Sequence, residues 1–113
     1  MNWKTFWDQT ALTATDTQSQ VGRIIAGKPI SKAQEVNLAN RIVELLQLKP
    51  TDTLIDVCCG NGWLTEKIAS YCESAIGVDQ SAILIKNAKL IETNKLRFGL
   101  GSAEELSSID NIK

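Results

Sequence analysis

Two acids and two glycines carry the most suggestive chemistry in this chain. Asp56 stands four residues before Gly60 in the stretch Thr53-Leu54-Ile55-Asp56-Val57-Cys58-Cys59-Gly60-Asn61-Gly62-Trp63-Leu64-Thr65. Its apolar start reads as a buried strand, and Gly60 and Gly62 read as a tight turn into a helix. Glycines there would let a ligand lie against the backbone. The helix N-terminus that follows would favour a carboxylate or phosphate. Asp79 closes a second apolar run, Ser74-Ala75-Ile76-Gly77-Val78-Asp79. A carboxylate at such a strand end can accept hydrogen bonds from both hydroxyls of a ribose. Ser102, Ala103 and Glu104 follow a third run, Lys95-Leu96-Arg97-Phe98-Gly99-Leu100, and can present backbone N–H groups and side-chain oxygens to a base edge. Singly, these features have plainer readings: a tight turn, a helix cap, a loop. Together, at three successive strand ends, they point to a nucleoside-type ligand.

The surrounding pattern supplies the elements that must position them. Trp3, Phe6 and Trp7 fall on one helical face, as an amphipathic arm packed on the domain or as a lid over a ligand. Residues 13–20 have no periodicity and read as loop. Residues 20–30 read as a connector with a turn at Gly27 and Pro29, in which Arg23 is a candidate carboxylate partner beside its plainer reading as a surface arginine. Ser31-Lys32-Ala33-Gln34 matches a capping box. Val36, Ala39, Ile42, Val43 and Leu46 then make a helical core stripe, which Pro50 ends. A strand over 53–59, a helix over 62–72 carrying Leu64, Ile68 and Cys72, and a strand over 74–79 follow. Ser81 caps a further helix with Leu84, Ala88 and Ile91 on one face, before the strand at 95–100 and a short helix beyond Gly101. Helices alternating with short apolar strands predict an α/β fold with a parallel sheet. Residues 1–30 form an N-terminal arm and residues 31–113 one ligand-binding domain.

Composition narrows the function. With 12 basic and 13 acidic residues in 113, the net charge of -1 gives no footprint for nucleic acid or an anionic membrane. No apolar stretch approaches the roughly 18–20 residues that span a bilayer. The N-terminal residues have no apolar signal core, and a cytoplasmic protein is the expectation. Cys58, Cys59 and Cys72 lack metal-ligand spacing, and the absence of histidine removes both a Cys/His zinc site and the commonest general base. No metal is expected.

A dinucleotide fingerprint requires G-x-G-x-x-G, whereas Gly60-Asn61-Gly62-Trp63-Leu64-Thr65 ends in threonine and places a bulky Trp63 where a pyrophosphate would lie. Asp56-Val57-Cys58-Cys59-Gly60-Asn61-Gly62 instead resembles the first motif, D-x-G-x-G-x-G, of class I S-adenosylmethionine-dependent methyltransferases. Gly77-Val78-Asp79-Gln80-Ser81 resembles their second motif, and Gly101-Ser102-Ala103-Glu104-Glu105-Leu106 their G-D-A-E-x-L stretch. The resemblance covers about residues 31–108. It implies S-adenosyl-L-methionine as cofactor, with the methionine portion on Asp56 and the loop Cys58, Cys59, Gly60, Asn61 and Gly62. It further implies the ribose on Asp79, the adenine flanked by Gln80, and the adenine edge at Ser102 and Ala103. Cys58 replaces the first glycine, so the turn there is expected to avoid a positive φ. Ser102 replaces the usual aspartate, which weakens the contact expected with the adenine amino group.

The same resemblance implies a three-layer α/β/α Rossmann-like fold, of which this chain carries about three of a normal seven strands. It therefore reads as the cofactor-binding half of a methyltransferase acting on an unidentified acceptor, truncated before the fourth strand and inactive alone, with no catalytic residue assigned. In the strand order 3-2-1-4-5 the first strand, normally central, would lie on an open edge, and self-association through it is expected. A nicotinamide-dependent oxidoreductase half and a non-catalytic interaction fragment are the rival readings.

Overall fold

The computed structural model describes residues 2–108 apart from 15, 23 and 26. Helix α1 spans Trp3–Thr13 and starts at Asn2, whose side chain accepts the Thr5 N–H at 3.1 Å. A short helix α2, Thr17–Gln20, stands where a loop was expected. The connector forms a two-stranded hairpin, β1 (Ile24–Ile25) against β2 (Lys28–Pro29), turning at Gly27 with a φ of +77°.

Helix α3 spans Lys32–Leu46, and its capping box forms: Ser31 N–H donates to Gln34 Oε1 at 2.7 Å, and Gln34 N–H to Ser31 Oγ at 3.1 Å. The helix ends at Gln47, in the left-handed region at φ +52°, before Pro50 is reached. Its apolar stripe is core only in part. Ala39 is buried where α3 packs on the next helix, while Val36 and Leu46 lie more than half exposed.

The β-α-β-α-β unit then follows. Strand β3 is Thr53–Val57, helix α4 is Trp63–Ala69, strand β4 is Ser74–Asp79, helix α5 is Ala82–Ala88 with a 3-10 turn at Lys89–Ile91, and strand β5 is Leu96–Leu100. A 3-10 segment, Ala103–Ser108, leaves the sheet. The three strands are parallel in the order β3-β4-β5. The expected α/β fold with three parallel strands is therefore present, and β3 lies at one edge.

Register explains where the core sits. Leu54, Ala75 and Leu96 are partners across the sheet, as are Asp56, Gly77 and Phe98. Successive strand residues face opposite sides, so these six share one face. Ala69 and Cys72 from the α4 end and Ile85 and Ala88 from α5 pack on that face with Ala75, Leu96 and Phe98. The other face carries Ile55, Ile76 and Arg97, and Ile55 remains 45% exposed. Among the described residues no helix is long and apolar enough to cross a membrane.

Candidate functional site

The carboxyl ends of the three strands converge, and Asp79 ties them together. Its Oδ2 accepts the Gly60 N–H at 2.9 Å, from the turn after β3, and its Oδ1 accepts the Ser81 N–H at 2.9 Å. Its backbone carbonyl accepts the Gly101 N–H at 2.9 Å, from the end of β5. The Cys59 N–H donates to the Val78 carbonyl at 2.9 Å, carrying the ladder past the formal end of β3. The acid at the second strand end is thus also the structural tie among all three. Each carboxylate oxygen keeps a second lone pair for a ligand.

The turn after β3 departs from expectation at Cys58. Its φ is +63°, in the left-handed region that was expected to be avoided. A side chain there costs roughly 1–2 kcal/mol relative to glycine. The turn geometry prevails because Gly60 and Gly62, at φ +62° and +80°, and the bonds to Asp79 and Val78 fix the path on both sides.

Both glycines have protein atoms close to where a side chain would stand. A Cβ on Gly60 would come 2.7 Å from Val21 Cγ1, and one on Gly62 would come 2.4 Å from Phe98 Cζ. Parts of the protein itself occupy the space vacated, the arm at Gly60 and the core at Gly62. Helix α4 has only seven residues, shorter than the expected 62–72, and its first N–H, on Trp63, is directed at Asn61 Oδ1 at 3.4 Å.

A cavity of about 750 Å³ opens at the strand ends, within the size range of small-molecule sites. Asp56, Cys58, Cys59, Gly60, Asp79, Gln80, Ser102, Ala103 and Glu104 all line it, as does Ser81. Asn61 and Gly62 are not among the lining residues, and Arg23 lies outside the described residues. Val21 of the connector and Trp63 beside the glycine turn also line the cavity, as does Lys4, which no sequence feature marks. Only the docking of α1 brings Lys4 there.

The cavity is electrostatically one-sided. Asp56, Asp79 and Glu104 line it, and among the described lining residues the cation is Lys4, already paired with Asp8 at 2.7 Å. Burial holds the Asp56 carboxyl above the usual carboxylate range; the Thr65 hydroxyl, donating to its Oδ2 at 2.6 Å, opposes this, and the charge of Asp79 adds to it. Thr65 stands where a dinucleotide fingerprint would have its third glycine, and this bond gives it a different task. Burial, and then the charges of Asp79 and Asp56, push the Cys58 thiol up; burial, then Asp56 and Asp79, pushes Cys59 up further. Both stay protonated near neutral pH and are poor nucleophiles.

The N-terminal arm forms the outer wall. Trp3, Lys4 and Trp7 of α1 and Val21 after α2 line the cavity. Ser81 Oγ donates to Asp8 Oδ1. Asn61 Nδ2 donates to the Thr17 carbonyl and to Gln20 Oε1, both at 2.9 Å.

A parallel sheet with crossover helices and a cavity at its carboxyl edge defines a Rossmann-like α/β architecture. Residues 55–112, just over half the chain, match the family described as "Methyltransferase domain". The chain belongs to that family. An uncharacterised methyltransferase of Schizosaccharomyces pombe is 37% identical over 57 residues, half of this chain and 22% of that protein. A 23S rRNA (uracil-C5)-methyltransferase of Francisella tularensis is 35% identical over 52 residues, 46% of this chain and 12% of that one. Among solved structures, a SAM-dependent methyltransferase from Anabaena variabilis superposes with a TM-score of 0.59 at 20% identity, covering 88% of this chain and 37% of that one. Coclaurine N-methyltransferase bound to N-methylheliamine and SAH gives 0.58 at 17% identity, covering 70% and 25%. These likenesses show the fold. The chain spans about a fifth or less of the length of those two curated relatives.

Proposed function

We propose that this chain is the cofactor-binding part of an S-adenosylmethionine-dependent methyltransferase. The observation that carries this reading is the acidic cavity at three strand ends, with Asp79 at its centre. Such a cavity suits a ligand that combines ribose hydroxyls with a positive charge. It opposes the pyrophosphate of a nicotinamide dinucleotide, which would bring negative charge against Asp56, Asp79 and Glu104.

Bound there, S-adenosylmethionine would supply an electrophilic methyl on its sulfonium to an acceptor lone pair, the electrons of the broken C–S bond remaining on sulfur. The work of this chain is binding and orientation. Asp79 accepts from the ribose hydroxyls through the lone pairs not used by Gly60 and Ser81. Asp56 and the Cys58–Gly60 segment hold the methionine portion, Asp56 facing its cationic end. Gln80 flanks the adenine, and Ser102 and Ala103 meet its edge, with Ser102 Oγ already accepting the Glu104 N–H at 3.2 Å. The protonated thiols supply no nucleophile, and the acceptor enters only as the attacking group. A cytoplasmic setting accords with this reading.

Titration calorimetry with S-adenosylhomocysteine tests it. Saturable heat, with affinity reduced about tenfold or more in Asp79→Ala for the loss of charge-assisted hydrogen bonds, is the expected result. Heat with NAD and none with S-adenosylhomocysteine would overturn it.

A further inference from the structure

Asn61 sits in the middle of the glycine turn, yet it is buried and does not line the cavity. Its side chain is fully engaged elsewhere. Both donor capacities of Nδ2 go to the arm, to the Thr17 carbonyl and to Gln20 Oε1 at 2.9 Å each, while Oδ1 accepts the Trp63 N–H at 3.4 Å. The same Gln20 Oε1 also accepts from Asn87 Nδ2 of α5 at 3.5 Å. Gln20 therefore receives donors from the turn after β3 and from the helix after β4. At the other end of the arm, Asp8 accepts from Ser81, the N-cap of α5. Between these attachments Trp3, Lys4, Trp7 and Val21 wall the cavity, and Val21 fills the space over Gly60.

We propose that the N-terminal arm is a strap across the cofactor cavity and that Asn61 is the positioning residue that locks it. The latch uses only hydrogen-bond donors of Asn61 and only an acceptor of Gln20. The strap retains ligand in proportion to how firmly this latch holds. The inference rests on the cofactor reading above and adds to it a determinant of residence time that lies outside the cavity wall.

The chemistry of the latch selects the variants. Asn61→Asp keeps size and the acceptor for Trp63 but removes both donors and sets a carboxylate against two carbonyl oxygens. Its added negative charge would by itself attract an ammonium-bearing ligand, so weakened retention points to the arm. Gln20→Met keeps length and removes the acceptor; Gln20→Glu keeps the acceptor. All three tryptophans, Trp3, Trp7 and Trp63, line the cavity, so intrinsic fluorescence reports occupancy.

The experiment is stopped-flow fluorescence on the whole chain with S-adenosylhomocysteine, with near-ultraviolet circular dichroism confirming each fold. The expected result is dissociation about tenfold faster or more in Asn61→Asp and Gln20→Met, as for hydrogen bonds of ordinary net strength, with association no slower. Gln20→Glu is expected within about twofold of the unaltered chain on the same grounds. If Asn61→Asp does not fold, the Gln20 pair decides. Folded variants that release ligand at the unaltered rate, or Gln20→Glu no better than Gln20→Met, overturn the strap while leaving the cofactor reading intact. An unaltered chain that binds no S-adenosylhomocysteine overturns both.

Discussion

Phe98 occupies the space that a side chain at Gly62 would need. It is fully buried on β5, and a Cβ on Gly62 would lie 2.4 Å from its Cζ. Gly77 meets the same ring, with its own added Cβ at 2.7 Å. The second glycine of the turn is thus fixed by core packing as well as by its φ of +80°. Gly62→Ala is expected to cost about 2–4 kcal/mol, combining overpacking with a left-handed conformation. Denaturant unfolding measures it. Adding Phe98→Leu should make the double variant less destabilised than the sum of the singles, because the ring no longer blocks the new methyl; strict additivity would show that the two residues do not compete for this space.

Cys58 is the reverse case, a side chain where glycine fits better. At φ +63° it pays for a conformation that the turn imposes. Cys58→Gly is expected to raise stability by about 1 kcal/mol, the left-handed penalty less the added entropy of an unfolded glycine. Thermal unfolding reads the change, and S-adenosylhomocysteine affinity should stay within about threefold, since the bonds from Cys59 and Gly60 are backbone bonds. A lower melting temperature would mean that the thiol makes a contribution its geometry does not reveal.

These two positions show what was legible in the sequence. Strand ends, helix starts and caps follow local rules, so Ser31, Ser81 and the three apolar runs located the sheet and its carboxyl edge. Nine of the candidate residues there line one cavity. What failed depended on contacts between distant segments. Nothing local to Gly60 signals Val21, nothing near Asn61 signals Gln20, and the φ of Cys58 follows from a turn held at both ends. The arm was legible in part: its aromatic face allowed a lid over a ligand, but the bonds from Asn61 and Ser81 that hold it over the cavity join residues 41 to 73 positions apart.

The edge of β3 bears on association. Among the described residues β3 pairs with β4 alone, and Ile55 and Val57 stand 45% and 38% exposed beside the unpaired backbone. An open apolar edge is a template for another strand. We propose that this 113-residue chain self-associates through β3 of two copies. Sedimentation across a concentration series is expected to show dimers, and Ile55→Lys to shift them to monomer, because a charge on an edge strand opposes pairing. A monomer at every concentration, with amides of residues 53–57 exchanging freely, would refute this.

Asp56 gives the site a pH dependence of definite sign. Burial holds its folded pKa above the ordinary carboxylate value, so in the interval between the two the folded state binds more protons than the unfolded one. Stability from this group is therefore present in acid, falls as pH rises through that interval, and is level above it. Asp8 runs the other way: its pKa is lowered by hydrogen bonds from Lys4 and Ser81, and its contribution is lost as pH falls through the lowered value. Asp56→Asn isolates the first effect. It can still accept the Thr65 hydroxyl, so it should stabilise the ligand-free chain at pH 7 and remove the decline with rising pH. Ligand binding responds with the opposite sign, since an ammonium or sulfonium favours the ionised carboxylate. Affinity for S-adenosylmethionine should rise with pH through the raised Asp56 pKa and then level off, whereas Asn at this position should lower it about tenfold and flatten the profile. Calorimetry from pH 4 to 8 on both proteins checks this; an unchanged affinity in Asp56→Asn would remove Asp56 from the cation site.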